Sequence, residues 1–272
     1  MSHSILVGQF LSVTFSRDIH SSFVLKLFLN PQEFTQRLLW QSLTNGQLYE
    51  PATSQLFLRY LRPNDRVVDV GAHVGYYTLL ASVLVGTSGQ VLSCELSPTN
   101  FDRLNYHLQI NQCQNVRAVL GAIGDREEEI SFFMNLDNDG GHALWDVGKH
   151  PFNQQSAQHL QQIKAPMRTL DSLLRDNDGP LRLLKIDTEG AEPLVLAGAK
   201  TTLQQWRPAL VILEINQFGL QQLGFSQMDA RRPLQELGYN GYVIGQPLQR
   251  LAPDEVYPAQ LFDMVFVTPD FS

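Results

Sequence analysis

The residues of this chain best placed to do chemistry are acids at the ends of apolar runs. In "LRLLKIDTEGAEPLVLAGAK" (181–200) an apolar run ends on Asp187 and Glu189, then gives way to a glycine and a helical spacing. Carboxylates at the carboxyl end of a strand in an open α/β sheet face a ligand crevice. A helix beginning near Ala191 could equally take one of them as its cap. The second constellation is "VVDVGAHVGYYT" (67–78), which reads as strand, glycine turn and helix start. Gly71 and Gly75 would let backbone approach a ligand closely, and the helix that follows presents free N–H groups. The spacing is D-x-G-x-x-x-G, with His73 where a dinucleotide fingerprint has its second glycine. Glu95 ends the next apolar run, 20 residues after Gly75. A carboxylate there can accept two hydrogen bonds from ribose hydroxyls. Together, turn and carboxylate imply an adenosine-containing cofactor.

The elements that must position these groups follow from an alternation that begins near residue 65. Short apolar runs at 66–71, 90–96, 116–123, 181–187 and 209–216 alternate with helical patterns, as in a parallel sheet wound on both faces. Gly86 closes the helix of "YYTLLASVLVG", and Ser97 and Pro98 open the helix of "SPTNFDRLNYHLQINQ". "DARRPLQELG" is a short helix stopped by Gly238. Runs at 241–245 and 262–269 read as a final strand pair that returns antiparallel. Residues 1–50 form an N-terminal arm or cap, and 51–272 the main domain. Residues 135–165 are polar, rich in Gly, Asn, Gln and His, and read as a long functional loop, mobile without ligand.

Composition narrows the partners. With 272 residues, 43% hydrophobic and 17% charged, the chain can bury one sizeable core. A net charge of −7, from 27 acidic and 20 basic residues, disfavours a protein that tracks nucleic-acid phosphates. No apolar run approaches the roughly 18 residues of a membrane span, and no signal-peptide layout opens the sequence. Cys94 and Cys113 lack metal-ligand spacing, which suits reduced thiols and a cytoplasmic location.

The blocks "YEPATSQLFLRYLRPNDRVVDVGAHVGYYTLLAS", "CELSPTNFDRLNYHLQIN", "NVRAVLGAIGD", "TLDSLL", "LLKIDTEGAEPLVLAGA" and "RPALVILEIN" occur in order. Over about residues 48–216 they resemble the FkbM-type methyltransferases, class I enzymes that use S-adenosylmethionine. The resemblance implies a doubly wound, mostly parallel seven-stranded α/β sheet with an antiparallel C-terminal strand. It also implies that Asp69 and the Gly71–Gly75 turn, with Ala72 and His73, hold the methionine end. Glu95 and Leu96 would hold the ribose, and Ala122 and Ile123 the adenine, with Asp125 nearby. Two departures stand out: His73 replaces the usual Asn, and Cys94-Glu95-Leu96 replaces Phe-Glu-Pro.

By the same resemblance, Asp187 borders the methyl group and the acceptor, while Glu214 and Asn216 flank that crevice from the fifth strand. The layout is similar to that of catechol O-methyltransferases, where such groups hold magnesium, so Asp187, Glu214 and Asn216 are the candidate metal ligands. An unactivated hydroxyl must lose its proton to a base or to a metal during attack. Among seven histidines, His142 in "DGGHALW" and His73 are best placed to be that base, and Trp145, His150 and Asn153 could touch the acceptor. The expected reaction is O-methylation of a hydroxyl on a sugar, glycan or other small biosynthetic intermediate, with a homo-oligomer left open. The alternatives are an RNA or protein methyltransferase, a non-enzymatic S-adenosylmethionine-binding protein, and a nicotinamide-dependent oxidoreductase. Acidic charge argues against RNA, the missing Asn-Pro-Pro-Tyr motif against amino-group methylation of adenine or glutamine, and the incomplete glycine fingerprint against the oxidoreductase.

Overall fold

A computed structural model describes residues 7–18, 21–174 and 180–270. It opens on an antiparallel hairpin, β1 (Gln9–Asp18) and β2 (Ser21–Leu29), followed by α1 (Phe34–Thr44) and α2 (Pro51–Tyr60). The alternating part runs β3 (Arg66–Val70), α3 (Tyr76–Val85), β4 (Gln90–Glu95), α4 (Pro98–Ile110), β5 (Val116–Leu120), β6 (Ala122–Ile123) and β7 (Glu128–Met134). It continues with α5 (Gln154–Gln158), β8 (Gln161–Arg168), α6 (Leu170–Leu173), β9 (Leu183–Ile186), α7 (Glu192–Ala197) and β10 (Leu210–Asn216). The chain closes with α8 (Gln217–Gln222), α9 (Gln227–Glu236), β11 (Asn240–Val243), β12 (Gln249–Arg250) and β13 (Leu261–Val267).

The main sheet has eight strands in the order β12-β11-β13-β10-β9-β3-β4-β5, one more than expected because the two-residue β12 pairs with β11. β9, β3, β4 and β5 are parallel, as are β10 and β9, while β13 returns antiparallel between β10 and β11. The run expected as one strand over 116–123 divides at Gly121. Gly121 takes φ +138, and a Cβ there would lie 2.5 Å from the Pro166 carbonyl oxygen. Past that kink β6 leaves the main sheet and pairs with β8 beside β7.

Strand period sorts the side chains into two cores. Val68, Val70, Leu184, Ile186, Val211, Leu213 and Ile215 pack on one face with Val195, Leu196 and Leu234. Val67, Leu183, Leu210, Ile212 and Val265 pack on the other with Phe57, Leu79, Leu80 and Leu104. The hairpin joins this second core through Leu25, Leu27 and Leu29. α3 is therefore covered on nearly every side, with all its residues but Val83 buried, which explains its apolar sequence.

The same period puts the charges in register. Asp69, Lys185, Glu214 and Asp263 have the parity of the second face, and the ladder sets Asp69 beside Lys185 and Glu214 beside Asp263. A row of charges thus crosses the sheet near the carboxyl ends of its parallel strands.

Candidate active site

A cavity of about 290 Å³ opens at the carboxyl ends of the parallel strands. One end is walled by Gly71, Ala72, His73, Glu95, Leu96, Ala122 and Ile123, as the sequence analysis expects of a cofactor pocket. The other is walled by Tyr49, Glu50, Lys185, Asp187, Glu189 and Glu214. The first turns of α1 supply a third wall through Phe34, Thr35, Leu38 and Leu39.

At the first end Glu95 is buried, and both its oxygens are held by backbone. Oε2 accepts from the His73 N–H at 2.7 Å and Oε1 from the Ser97 N–H at 2.8 Å. Burial raises its pKa, and those N–H groups pull the other way by stabilising the anion. Each oxygen keeps lone-pair capacity for a ribose hydroxyl, so the residues present fit the expected nucleoside. The glycines have a further cause beside the one their spacing suggests. At Gly71, φ is +83 and a Cβ would lie 1.7 Å from the Asp187 carbonyl oxygen. At Gly75, φ is +92 and a Cβ would lie 2.5 Å from Leu104 Cδ1. Protein packed against protein already forbids a side chain at either position. Gly75 and Asp69 also lie outside the cavity wall: Asp69 is buried, with Oδ2 accepting from Thr78 Oγ1 at 2.6 Å.

At the other end acids crowd one cation. Lys185 is buried and donates to Asp187 Oδ2 at 2.6 Å, with its Nζ 4.9 Å from the Tyr77 ring centre. Burial alone would depress the lysine pKa, but Asp187, Asp69 and Glu50 outweigh it and raise it. Glu214 is pushed well up by burial and then by Asp187 and Glu189, and its Oε2 is buried with no hydrogen-bond partner. Glu189 rises for the same two reasons, burial and then Asp187. Asp263, behind them, is raised to about 7 by burial and then Glu50, and accepts from Thr53 Oγ1. The turn after β9 is held by Glu192, whose Oε1 accepts from the Thr188 and Gly190 N–H groups at 2.9 and 3.1 Å. Glu192 is thus the acid that builds the turn, while Asp187 and Glu189 line the cavity.

The expected magnesium site finds no support. Among the described residues no group of three or more His, Cys, Asp or Glu could hold a metal ion. Asn216 uses both amide atoms elsewhere, donating to Glu189 Oε2 at 2.6 Å and accepting from the Gly219 N–H at 3.0 Å as the cap of α8. Asp187 already has an ammonium as its counter-ion.

Residues 135–165 hold more regular structure and packing than their composition suggests. Their last part is strand β8, and Ala143, Trp145 and Val147 form a small core of their own. His142 lines the cavity; its Nδ1 accepts from the Asn135 N–H at 3.0 Å, which leaves the ring proton on Nε2. Burial, helped by the positive field of His73, lowers its pKa to about 4, so the ring is neutral. Trp145 donates to the Glu189 carbonyl at 2.7 Å and Asn153 to the Val147 carbonyl at 2.9 Å, while the His150 ring packs on Phe218. None of these three is in the cavity wall. The sequence analysis missed Glu50, Lys185, Asn100 and Asp139. Lys185 had a signal: a charge inside an apolar run that becomes a strand buried on both faces. Asp139, in "DNDGG", had none.

An open, mainly parallel sheet with a glycine turn after β3 and an acid ending β4 is the arrangement of a class I methyltransferase. The family profile described as "Methyltransferase FkbM domain" matches residues 69–240, and the chain belongs to that family of S-adenosylmethionine-dependent enzymes. No curated protein sequence matches the chain. Solved structures that resemble it include a Methyltransferase FkbM from Methylobacillus flagellatus KT, at 15% identity and a TM-score of 0.46. That match covers 85% of this chain and 54% of the other. A precorrin-6y C5,15-methyltransferase from Geobacter metallireducens GS-15 matches at 13% identity and TM-score 0.45, covering 81% and 90%. The O-methyltransferase TomG from Streptomyces achromogenes, solved in complex with SAM, matches at 13% and 0.44, covering 84% and 81%. Among the described residues no helix is long and apolar enough to cross a membrane.

Proposed function

We propose that the chain transfers the methyl group of S-adenosylmethionine to a hydroxyl of an uncharged acceptor, a sugar or other small biosynthetic intermediate. The observation that carries this reading is one cavity with two unlike ends, a backbone-held carboxylate at Glu95 and an acid row at Asp187 and Glu214. When bound, the cofactor supplies an electrophilic methyl group. Glu95 and Leu96 hold the ribose, Gly71, Ala72 and His73 lie along the methionine side, and Ala122 and Ile123 flank the adenine. Much of the rate then comes from holding the acceptor oxygen in line with the methyl group. Asp187 accepts the hydroxyl hydrogen bond and helps remove its proton. His142, neutral with its proton on Nε2, serves as a donor that orients the acceptor.

Charge supports an uncharged acceptor. Among the described residues Lys185 is the one Lys or Arg in the cavity wall, and Asp187 already neutralises it. A phosphate or carboxylate there would find no free cation. Exposed Phe34, Leu38 and Leu261 at the mouth suit an apolar portion of the acceptor. The free thiols of Cys94 and Cys113 fit the cytoplasm as the compartment. The test is calorimetry with S-adenosylhomocysteine, then methyl transfer from labelled cofactor to a panel of neutral and phosphorylated glycosides. Transfer to neutral members, lost by about 10²-fold in Asp187→Asn, is the expected result. Tight NAD binding with no S-adenosylhomocysteine binding would sink the proposal.

A further inference from the structure

The N-terminal half of α1 forms a wall of the cavity, yet α1 has no cap of its own. Its N-cap residue, Glu33, makes no side-chain cap bond. The missing acceptor comes from Asp139, 104 residues away, whose Oδ1 accepts from the Thr35 N–H at 2.7 Å. Oδ2 of the same carboxylate accepts from Gln36 Nε2 at 2.9 Å and from His73 Nε2 at 2.8 Å. Next to it Asn138 Oδ1 accepts from Thr35 Oγ1 at 2.6 Å, and a Cβ on Gly140 would lie 2.7 Å from that hydroxyl. On the other side Asn100 Nδ2 donates to the Asp139 carbonyl at 2.7 Å, fastening the loop to α4.

His73 carries the connection onward. It sits in the left-handed region at φ 51, costly for a residue with a side chain, so its neighbours must hold it there. Its ring is latched to Asp139, and its backbone N–H is one of the two that hold Glu95. Burial opposes ionisation of Asp139, but the bonds from His73, Gln36 and the Thr35 N–H outweigh it and keep its pKa at about 2. The carboxylate is therefore a charged acceptor at any working pH, and His73 must be the donor.

We propose that Asp139 is a positioning residue that couples the Glu95 end of the cavity to its α1 wall: one carboxylate caps the helix bearing Phe34 and Leu38 and, through His73, sets the residue that holds Glu95. Filling the ribose site then steadies the wall against which the acceptor packs. The inference rests on the nucleoside reading of the Glu95 end.

Two variants separate the parts of the latch. Asp139→Asn keeps Oδ1 to cap α1 but turns an amide toward His73 and Gln36. His73→Ala removes the ring and leaves the cap intact. Hydrogen exchange of residues 34–39 is measured with and without S-adenosylhomocysteine, beside calorimetric affinity. In the wild type the ligand should slow exchange of these amides roughly tenfold, a coupling of ordinary size. Each variant should lose that ligand-dependent slowing and bind about five- to tenfold more weakly, with the double variant no worse than either single one. A simple packing role would loosen α1 equally with and without ligand. Slowing that persists in both variants, or effects that add in the double variant, overturns the latch while the cofactor reading stands. No binding of S-adenosylhomocysteine to the wild type overturns both.

Discussion

The two ends of the cavity are built on opposite principles. At the proposed ribose end one carboxylate is gripped by two backbone N–H groups from a turn and a helix start, all within residues 71–97. At the proposed acceptor end side chains from β3, β9, β10 and β13 meet across the sheet, with several carboxylates around one lysine and with Asp69 Oδ1 and Glu214 Oε2 buried and unpaired. The first end is set mainly by local backbone geometry, with one side-chain tie from outside, Asp139 to His73. The second is set by register between distant segments, and its charges hold one another in place. Recognition of an invariant cofactor suits the first arrangement, and proton handling suits the second.

The sharpest way to break the second arrangement is to remove its cation. Lys185→Met keeps the apolar stem but leaves Asp187 and Asp69 without their ammonium, and breaking a buried pair costs about 3–5 kcal/mol. We expect a loss toward the lower part of that range, because Asp187 is partly exposed at 30%. Urea denaturation measures it. A variant as stable as the wild type would mean that the acid row is neutral without the lysine.

At the ribose end the corresponding change is Glu95→Ala. Hydrogen bonds to a charged group contribute about 1.5–3 kcal/mol each, so affinity for S-adenosylhomocysteine should fall by about 10- to 100-fold. Calorimetry reads this directly. An unchanged dissociation constant would remove Glu95 from the ribose site.

Stability against pH separates the two regions by sign. Glu192 and Asp263, each raised to about 7, and Glu214 and Glu189 keep their protons longer when folded than when unfolded. Their contribution is whole below the ordinary carboxylate values of 4.5 and 3.8 and is lost as pH rises through 7 and beyond. His107 and His142, both lowered to about 4, act in reverse. The unfolded chain takes up their protons below 6.5, so stability falls between 6.5 and 4. With four such acids against two histidines, the acids set the slope above 4.5, and melting temperature should peak well on the acid side of neutrality, at roughly pH 4–5. Glu214→Gln should flatten the alkaline limb and leave the acid limb alone. A steady rise to pH 9 would show that the row is not proton-loaded.

What the sequence made legible follows the same division. The strand-turn-helix of Gly71–Gly75, the acid at Glu95 and the Ser97–Pro98 helix start lie close together in the chain, and each could be read in place. A second reason for the glycines could not be read, because it depends on what faces them, the Asp187 carbonyl and Leu104, which the local sequence does not show. Asp187, Glu189 and Glu214 were found as strand-end acids. Asn216 is placed beside them as a metal ligand, where it is the cap of α8, and Lys185 and Asp263 are missed, since these groups come together only through ladder register and helix capping. Gly121 interrupts a run that reads as continuous because its neighbour, Pro166, is 45 residues on. Likewise the 135–165 segment looks like an open loop because its polar groups are satisfied by α1 and the cofactor turn rather than by water.

The smallest effect tests how far the ribose end depends on backbone alone. Ser97 caps α4, but its Oγ lies 3.5 Å from the Asn100 N–H, at the limit of a hydrogen bond. Ser97→Ala should therefore cost about 0.5 kcal/mol, the low end for a lost N-cap. The bond to Glu95 Oε1 comes from the Ser97 N–H, which alanine keeps. Thermal denaturation should show a small loss, while the S-adenosylhomocysteine dissociation constant stays within about twofold, since no group that reaches the ligand changes. If affinity falls in step with Glu95→Ala, the hydroxyl rather than the backbone orients the carboxylate. The ribose end would then depend on side-chain contacts in the way the acceptor end does.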